Sequence, residues 1–232
     1  MENCKKRKIL VSVTTTEGSD WRKKIKEIEK LGLKEAALFP TCLGKKERRD
    51  LYALLEKAGI KNIPFIHIRN DMAPQELDYL IEKFKAEAFN IHSDSEYPFI
   101  HDYSKHRKMI FIENVYSPLD EREIEKFGGV CLDVSHLEND RIHEPDKFRH
   151  NLKVLKKYLI GCNHLSCFQK TSRKDENGYL RLDSHFLKEL SEMDYLKNYP
   201  KKYFSNIVAI ELENTIKEQL KVIDYLIEKI GL

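Results

Sequence analysis

Short apolar, β-branched runs alternate with amphipathic segments from one end of the chain to the other, and this alternation constrains the fold more than any other feature. Eight runs read as strands: 8–14, 35–39, 62–68, 86–92, 109–114, 129–134, 158–165 and 206–213. Helical periodicity predicts helices between and after them over 20–31, 45–58, 74–85, 119–127, 146–157, 183–196 and 215–230, with a weak one within 95–106. Ser19 or Asp20 can cap the first helix, Gly32 and Gly59 follow the first two, and Pro74 sits where a first-turn proline is tolerated. Each connection is long enough for a crossover helix, so the strands are expected to be parallel. Eight βα units in 232 residues predict an α/β fold, a single (β/α)8 TIM barrel domain spanning 1–232 with its site at the C-terminal mouth of the strands. A doubly wound open sheet would carry a Gly-rich phosphate loop after an early strand, and the chain has none.

Composition agrees with a packed core. The chain is 41% hydrophobic and 34% charged with a net charge of +3, which excludes the disordered and collagen-like classes. No stretch approaches the roughly 18 uninterrupted apolar residues of a membrane helix, and residues 1–10 lack a signal-peptide apolar core. The expectation is a soluble, cytoplasmic monomer with no membrane partner. Five cysteines, an odd number in a chain this long, read as reduced thiols. The run Lys5-Lys6-Arg7-Lys8 reads as a solvated lead-in to the first strand rather than a nucleic-acid patch.

The chemistry stands at the strand ends. His67 ends the third strand, His92 the fourth, Glu113 the fifth and Asp133 the sixth, with His136 three residues on; His164 ends the seventh and Glu213 the eighth. In a parallel barrel these ends converge on one mouth. Parity agrees: Ile63, Phe65 and His67 share a face, as do Met109, Phe111 and Glu113, and Ala209, Glu211 and Glu213. A lone strand-end His or carboxylate is usually a hydrogen-bonded core residue or a helix cap, but coincidence on six successive strands is a poor account. Crowded carboxylates repel and are costly to desolvate unless a divalent cation neutralises them. Imidazole and carboxylate donors without thiolate suit Zn, Mn or Fe. Glu211 is the other eighth-strand candidate, as a buried partner of the site or as the ligand itself. A second cluster, Ser172, Gly178, Asp183 and His185, follows the seventh strand; an Asp183 helix cap beside an exposed His185 explains it equally well. Cys162 and Cys167 flank His164 and read as packing residues. His101, His106, His143 and His150 fall on polar segments and receive no role.

With these residues placed, the chain resembles the xylose-isomerase-like barrel superfamily, and within it the endonuclease IV family of apurinic/apyrimidinic endonucleases. Leu132-Asp133-Val134-Ser135-His136 is similar to that family's Leu-Asp-Thr-Cys-His, and His164-Leu165-Ser166 to the start of its His-Leu-Asn-Asp-Ser. Gly178 and Asp183-Ser184-His185 are similar to its Gly and Asp-Arg-His, Ile112-Glu113-Asn114 to its Leu-Glu-Asn, and Leu212-Glu213-Asn214 to its Leu-Glu-Thr. The resemblance implies up to three metals, zinc above all. One would be held by His67, His92 and Glu113; a second by Glu113, Asp133, His164 and Glu213; a third by His136, Asp183 and His185. It also implies phosphodiester hydrolysis by metal-activated water at abasic sites in DNA, with Glu113 and Glu213 as the catalytic carboxylates.

The pattern departs from the family in three places. His67 is followed by Ile68-Arg69-Asn70-Asp71-Met72 rather than by an aromatic and an apolar wedge, Ser166-Cys167 replaces Asn-Asp, and the chain is shorter. Arg69, Lys170 and Arg173, with Lys45, Lys46, Arg48, Arg49 and Lys174, are read as top-face cations able to contact phosphate, interleaved with Glu47, Asp71, Asp175 and Glu176. A net charge of +3 is small for a protein that grips long DNA. The alternative reading is a sugar or sugar-phosphate isomerase or epimerase of the same superfamily, with one divalent metal and Glu113 and Glu213 moving the proton. Its partner would be a small phosphorylated sugar. A metal-binding barrel without catalysis is the third.

Overall fold

The computed structural model describes residues 7–175 and 177–232; Cys4, Lys5, Lys6 and Glu176 lie outside the described residues. Strands β1 (Lys8–Leu10), β2 (Ser12–Thr14), β3 (Ala37–Phe39), β4 (Phe65–His67), β5 (Ala88–Ile91), β6 (Ile110–Glu113), β7 (Val130–Asp133), β8 (Ile160–Leu165) and β11 (Ile207–Ile210) form one parallel sheet. β1 pairs with β11 while β2, one residue further on, pairs with β3. The two are halves of one strand, and the sheet closes as the expected eight-stranded barrel. The intervening helices are α1 (Trp21–Leu31), α2 (Lys45–Lys57), α3 (Pro74–Phe84), α4 (Glu121–Ile124), α5 (Val134–His143), α6 (Pro145–Val154) and α7 (Ile216–Tyr225).

Alternation along each strand sorts the core into two. Leu38, Ile66, Phe89, Ile112, Leu132 and Val208 face outward under the helices, whereas Ala37, Phe39, Phe65, Ala88, Phe111, Cys131, Cys162 and Ala209 fill the barrel. A Cβ on Gly161 would lie 2.0 Å from the Phe111 ring, so the missing side chain is what lets that ring fill the space beside β8. Two residues beyond this apolar layer, on the same inward face, stand His67, Glu113, Asp133, His164 and Glu211. The strand pleat therefore puts polar groups at the mouth directly above an apolar plug.

Three elements differ from expectation. The weak segment within 95–106 forms no helix; turns lead to a short 3-10 turn at Arg107–Met109. The helix expected over 183–196 is replaced by a hairpin of β9 (Cys167–Lys174) and β10 (Leu180–Ser184), followed by 3-10 turns over Leu190–Asn198. Asn177-Gly178 turns it, with Gly178 at φ +83° and the Asp175 carboxylate accepting from the backbone N–H of Asn177 and Tyr179. Helix α5 follows directly from β7, with Asp133 as its N-cap. It lacks amphipathic periodicity because residues Val134 through Asp140 are all buried, packed against α6, β8 and β10. Lys45, Lys46, Arg48 and Arg49 belong to α2, and Arg48 is fully buried rather than a loop cation.

Side chains bridge the seam between first and last strands. Gln219 of α7 accepts from the Ser12 N–H at 2.7 Å and donates to the carbonyls of Ser12, Leu212 and Asn214. Lys24 Nζ donates to the Leu212 carbonyl and the Thr14 hydroxyl, each at 2.6 Å. Burial lowers the Lys24 ammonium to about 8, against the pull of Glu213 and Glu27. Between that value and about 10.4, the unfolded chain holds a proton the folded one has released, so this residue makes stability rise with pH in that window. The stability difference between wild type and Lys24→Met, read from urea midpoints, is expected to shift in favour of wild type from pH 7.5 to 10; a pH-independent difference would refute it.

Candidate metal centre

The sheet brings the strand-end residues to one buried cluster. His67 Nδ1 faces the Ile68 carbonyl at 3.1 Å, and because a carbonyl only accepts, the proton sits on Nδ1 and the Nε2 lone pair points inward. That Nε2 lies 3.1 Å from His92 Nε2 and 3.1 Å from Glu113 Oε2; His92 Nε2 is 3.6 Å from the same oxygen. The opposite oxygen, Glu113 Oε1, lies 3.6 Å from His164 Nδ1 and 3.8 Å from His136 Nε2. His164 Nδ1 is also 3.9 Å from Asp133 Oδ2 and 3.3 Å from Glu211 Oε2. Among the described residues, two triads gather their donor atoms within 4.8 Å: His67, His92 and Glu113; and Glu113, Asp133 and His164. Glu113 belongs to each.

Supporting hydrogen bonds fix these groups. Asn90 Nδ2 donates to Glu113 Oε2 at 2.6 Å. Asn114 pairs with the Asp133 backbone in both directions, at 3.0 and 2.9 Å, holding the ends of β6 and β7 together. Asp133 Oδ1 accepts from the Ser135 hydroxyl and the His136 N–H, while its Oδ2 is buried with no hydrogen bond; the same holds for His164 Nδ1 and Nε2. Donors coordinated at 2.0–2.2 Å stand roughly 3 to 3.5 Å apart, close to the spacings found here, so the residues fit a divalent cation. Buried orphan atoms on a carboxylate and an imidazole are what such an ion would satisfy.

Charge is arranged accordingly. Burial would raise Glu113, but His164, His67 and His92 hold its carboxyl well below the usual range. Burial opposes ionisation of Glu211 as well, and His185 and His164 bring it down to about 2. His164 is pushed down by burial and up by Glu113, Glu211 and Asp133, reaching about 10. Burial lowers His92 to about 4, so at neutral pH it is a neutral acceptor or donor.

The eighth-strand residue beside His164 is Glu211, not Glu213. β11 ends at Ile210, and Glu211 keeps the inward parity of Ala209 while its N–H bonds the Leu165 carbonyl. The chain then turns to bond His185, and the Glu213 carboxylate accepts from the Thr16 hydroxyl at 2.7 Å, packed over Gly18. Of His136, Asp183 and His185, the first two come together, with His136 Nδ1 3.5 Å from Asp183 Oδ2, and Arg181 sits against both. Arg181 reaches His136 with Nη2 and Asp183 with Nε and Nη2, at 3.0 and 3.1 Å to the carboxylate, and His185 Nε2 instead lies 3.8 Å from Glu211. Burial raises Asp183, but His136 and Arg181 hold it below its ordinary value. Arg181 was missed in the sequence; its i, i+2 spacing to Asp183 on one strand was the signal.

The cluster opens into a cavity of about 440 Å³, lined among others by His67, His92, Tyr97, Tyr116, Arg69 and Arg173. Lys170 does not line it. Among the described residues no helix is long and apolar enough to cross a membrane. No protein-family profile and no curated protein matches the chain. Among solved structures, it is similar to the probable 3-DHS dehydratase AsbF involved in petrobactin synthesis from Bacillus anthracis, at 12% identity and a TM-score of 0.43, covering 88% of this chain and 92% of that one.

Proposed function

We propose that the chain is an isomerase or epimerase of small sugar-type carbonyl compounds, using one divalent cation held by Glu113, Asp133, His164 and Glu211. The observation that carries this is the pair of buried, unbonded atoms Asp133 Oδ2 and His164 Nδ1, enclosed by the Glu113 and Glu211 carboxylates. A His92 Nε2–H can serve the Nε2 lone pair of His67, so a single ion at the Glu113–Asp133–His164 side is the simplest occupancy. Arg181 places a fixed cation between His136 and Asp183, where a three-metal hydrolase would need an ion. These features favour the one-metal isomerase over the endonuclease-like reading.

A cation bound there would stabilise negative charge developing on a substrate carbonyl or hydroxyl oxygen. Glu113 and Glu211 approach from separate strands, so one carboxylate can remove the proton next to the carbonyl while the other side of the site returns one. Returned to the opposite face it inverts the centre, and to the neighbouring carbon it moves the carbonyl; no net proton is consumed. Neutral His92 can bond a substrate hydroxyl.

Metal analysis after loading with Mn or Zn and dialysis tests the reading. One ion per chain is expected, with Glu211→Gln weakening binding roughly tenfold or more and Glu213→Gln leaving it nearly unchanged. Solvent deuterium should enter an aldose or ketose from a substrate panel. Failure to bind any ion, or three ions with nicking of abasic-site duplex, would overturn it.

A further inference from the structure

The β9–β10 hairpin sets two arginines directly opposite each other across an antiparallel pair, Arg173 against Arg181, and both line the cavity. Like charges in that relation destabilise a hairpin, so the arrangement calls for anions on that face. Arg181 has its own: it is buried, bound through two nitrogens to Asp183, and lies 5.6 Å over the Tyr116 ring. Arg173 has none. Its guanidinium donates only to the Asp183 backbone carbonyl at 3.0 Å, and it makes no ion pair among the described residues. Among the described residues the hairpin's remaining acid, Asp175, lines the cavity too; its Oδ1 accepts from its own turn and its Oδ2 is buried without a hydrogen bond, and it forms no ion pair with Arg173. The other cavity cation outside the hairpin, Arg69, is held by Asp71 and the Thr41 carbonyl. Lys174, next to Arg173, points to the opposite face of β9, and neither it nor Lys170 lines the cavity.

We infer that Arg173 is an anion-recognition residue: the molecule that enters the cavity carries a carboxylate or a phosphate, which takes the unfilled guanidinium and relieves the Arg173–Arg181 opposition. A planar fork of donors matches either oxyanion. The inference rests on the reading of the cavity as a small-molecule site and adds the substrate's charge to it. The reacting oxygens lie toward the metal cluster and the anionic group toward the hairpin.

The test uses the whole protein, metal-free and Mn-loaded, titrated separately with inorganic phosphate and with D-gluconate by calorimetry. At least one anion is expected to bind both forms, and Arg173→Ala to weaken that binding about tenfold or more, with partial rescue in Arg173→Lys and an unchanged Mn affinity. Response to phosphate alone or to gluconate alone tells which oxyanion the site takes. Anion binding that survives in Arg173→Ala, or that occurs only in the Mn-loaded protein, places the anion on the metal and overturns the inference. So does a wild type that binds neither. Arg173-dependent anion binding in a protein that takes up no metal would uphold this inference while the proposed reaction fails.

Discussion

Replacing Glu113 with Gln is expected to weaken divalent-metal binding by a factor of at least about a hundred, more than any other single change at the mouth. Glu113 is the only residue common to both ligand triads, with Oε2 toward His67 and His92 and Oε1 toward His164. The amide would still fit and could still bond Asn90, so the loss reports charge rather than shape. A proton competes with the metal in the wild type, because His164 retains one up to about 10 when no ion is present. Apparent affinity should therefore rise about tenfold per pH unit from pH 6.5 to 9, with close to one proton released per ion bound. The Glu113→Gln change removes the carboxylate that does most to raise His164, so the slope flattens in the variant. Calorimetry in buffers of different ionisation enthalpy measures the proton count; near-wild-type affinity in Glu113→Gln would mean that the cluster is a hydrogen-bonded core and not a metal centre.

The largest effect on stability is expected from Arg48→Ala. Arg48 is completely buried, bidentate to Glu76 at 2.8 and 3.0 Å, and bonded to the Leu43 carbonyl and Asp71. Tyr52 donates to the same Glu76 carboxylate at 2.8 Å. Removing the guanidinium leaves Glu76, largely buried, without its cation, while Asp71 keeps Arg69. Stranding one partner of such a pair costs about 3 to 5 kcal/mol, and the partial exposure of Asp71 places this case near the lower end. For a chain of this size that is a fall in melting temperature of roughly 10 °C. Arg48→Lys should fall between, keeping the charge and losing the fork. The double change Arg48→Met with Glu76→Gln should recover part of the loss, since it removes the stranded charge. Thermal and denaturant unfolding measure all three; an unperturbed Arg48→Ala would show the network to be energetically idle.

Arg48 also shows where the sequence was legible and where it was misread. Barrel, strand order and mouth follow from periodicity, because apolar alternation over eight short runs has few other ways to be buried. Arg48 sits in Lys-Lys-Glu-Arg-Arg-Asp, and by composition that run is solvated. By position it is not: residues 48, 51, 52 and 55 form one helical stripe, and all are buried. Lys24 in α1 occupies the same kind of place beside Trp21, Ile25 and Ile28. The stripe, not the residue type, carried the information. Most strand-end donors were readable for a similar reason, since inward parity is a local property of each strand. Glu211 against Glu213 was not, because both have that parity and only the end of β11, set by pairing with β8, separates them. Helix α5 escaped because a helix covered on every side has no polar face to reveal its period. The hairpin was hidden behind the helix expected over 183–196, although Asn177-Gly178 already carried the turn.

The seam between β1 and β11 gives the barrel a place in time as well as in space. Ser12 and Gln219, which face each other across it, are 207 residues apart along the chain. Closing so long a loop is entropically costly and comes after the neighbour-by-neighbour pairing of the intervening strands. Glu113, Asp133, His164 and Glu211 stand on β6, β7, β8 and just past the end of β11, strands that pair in succession, so the four-donor set lies on one side of the joint and assembles before it shuts. An ion bound to it would tie four neighbouring strands together and, by mass action, stabilise the folded barrel without depending on that joint.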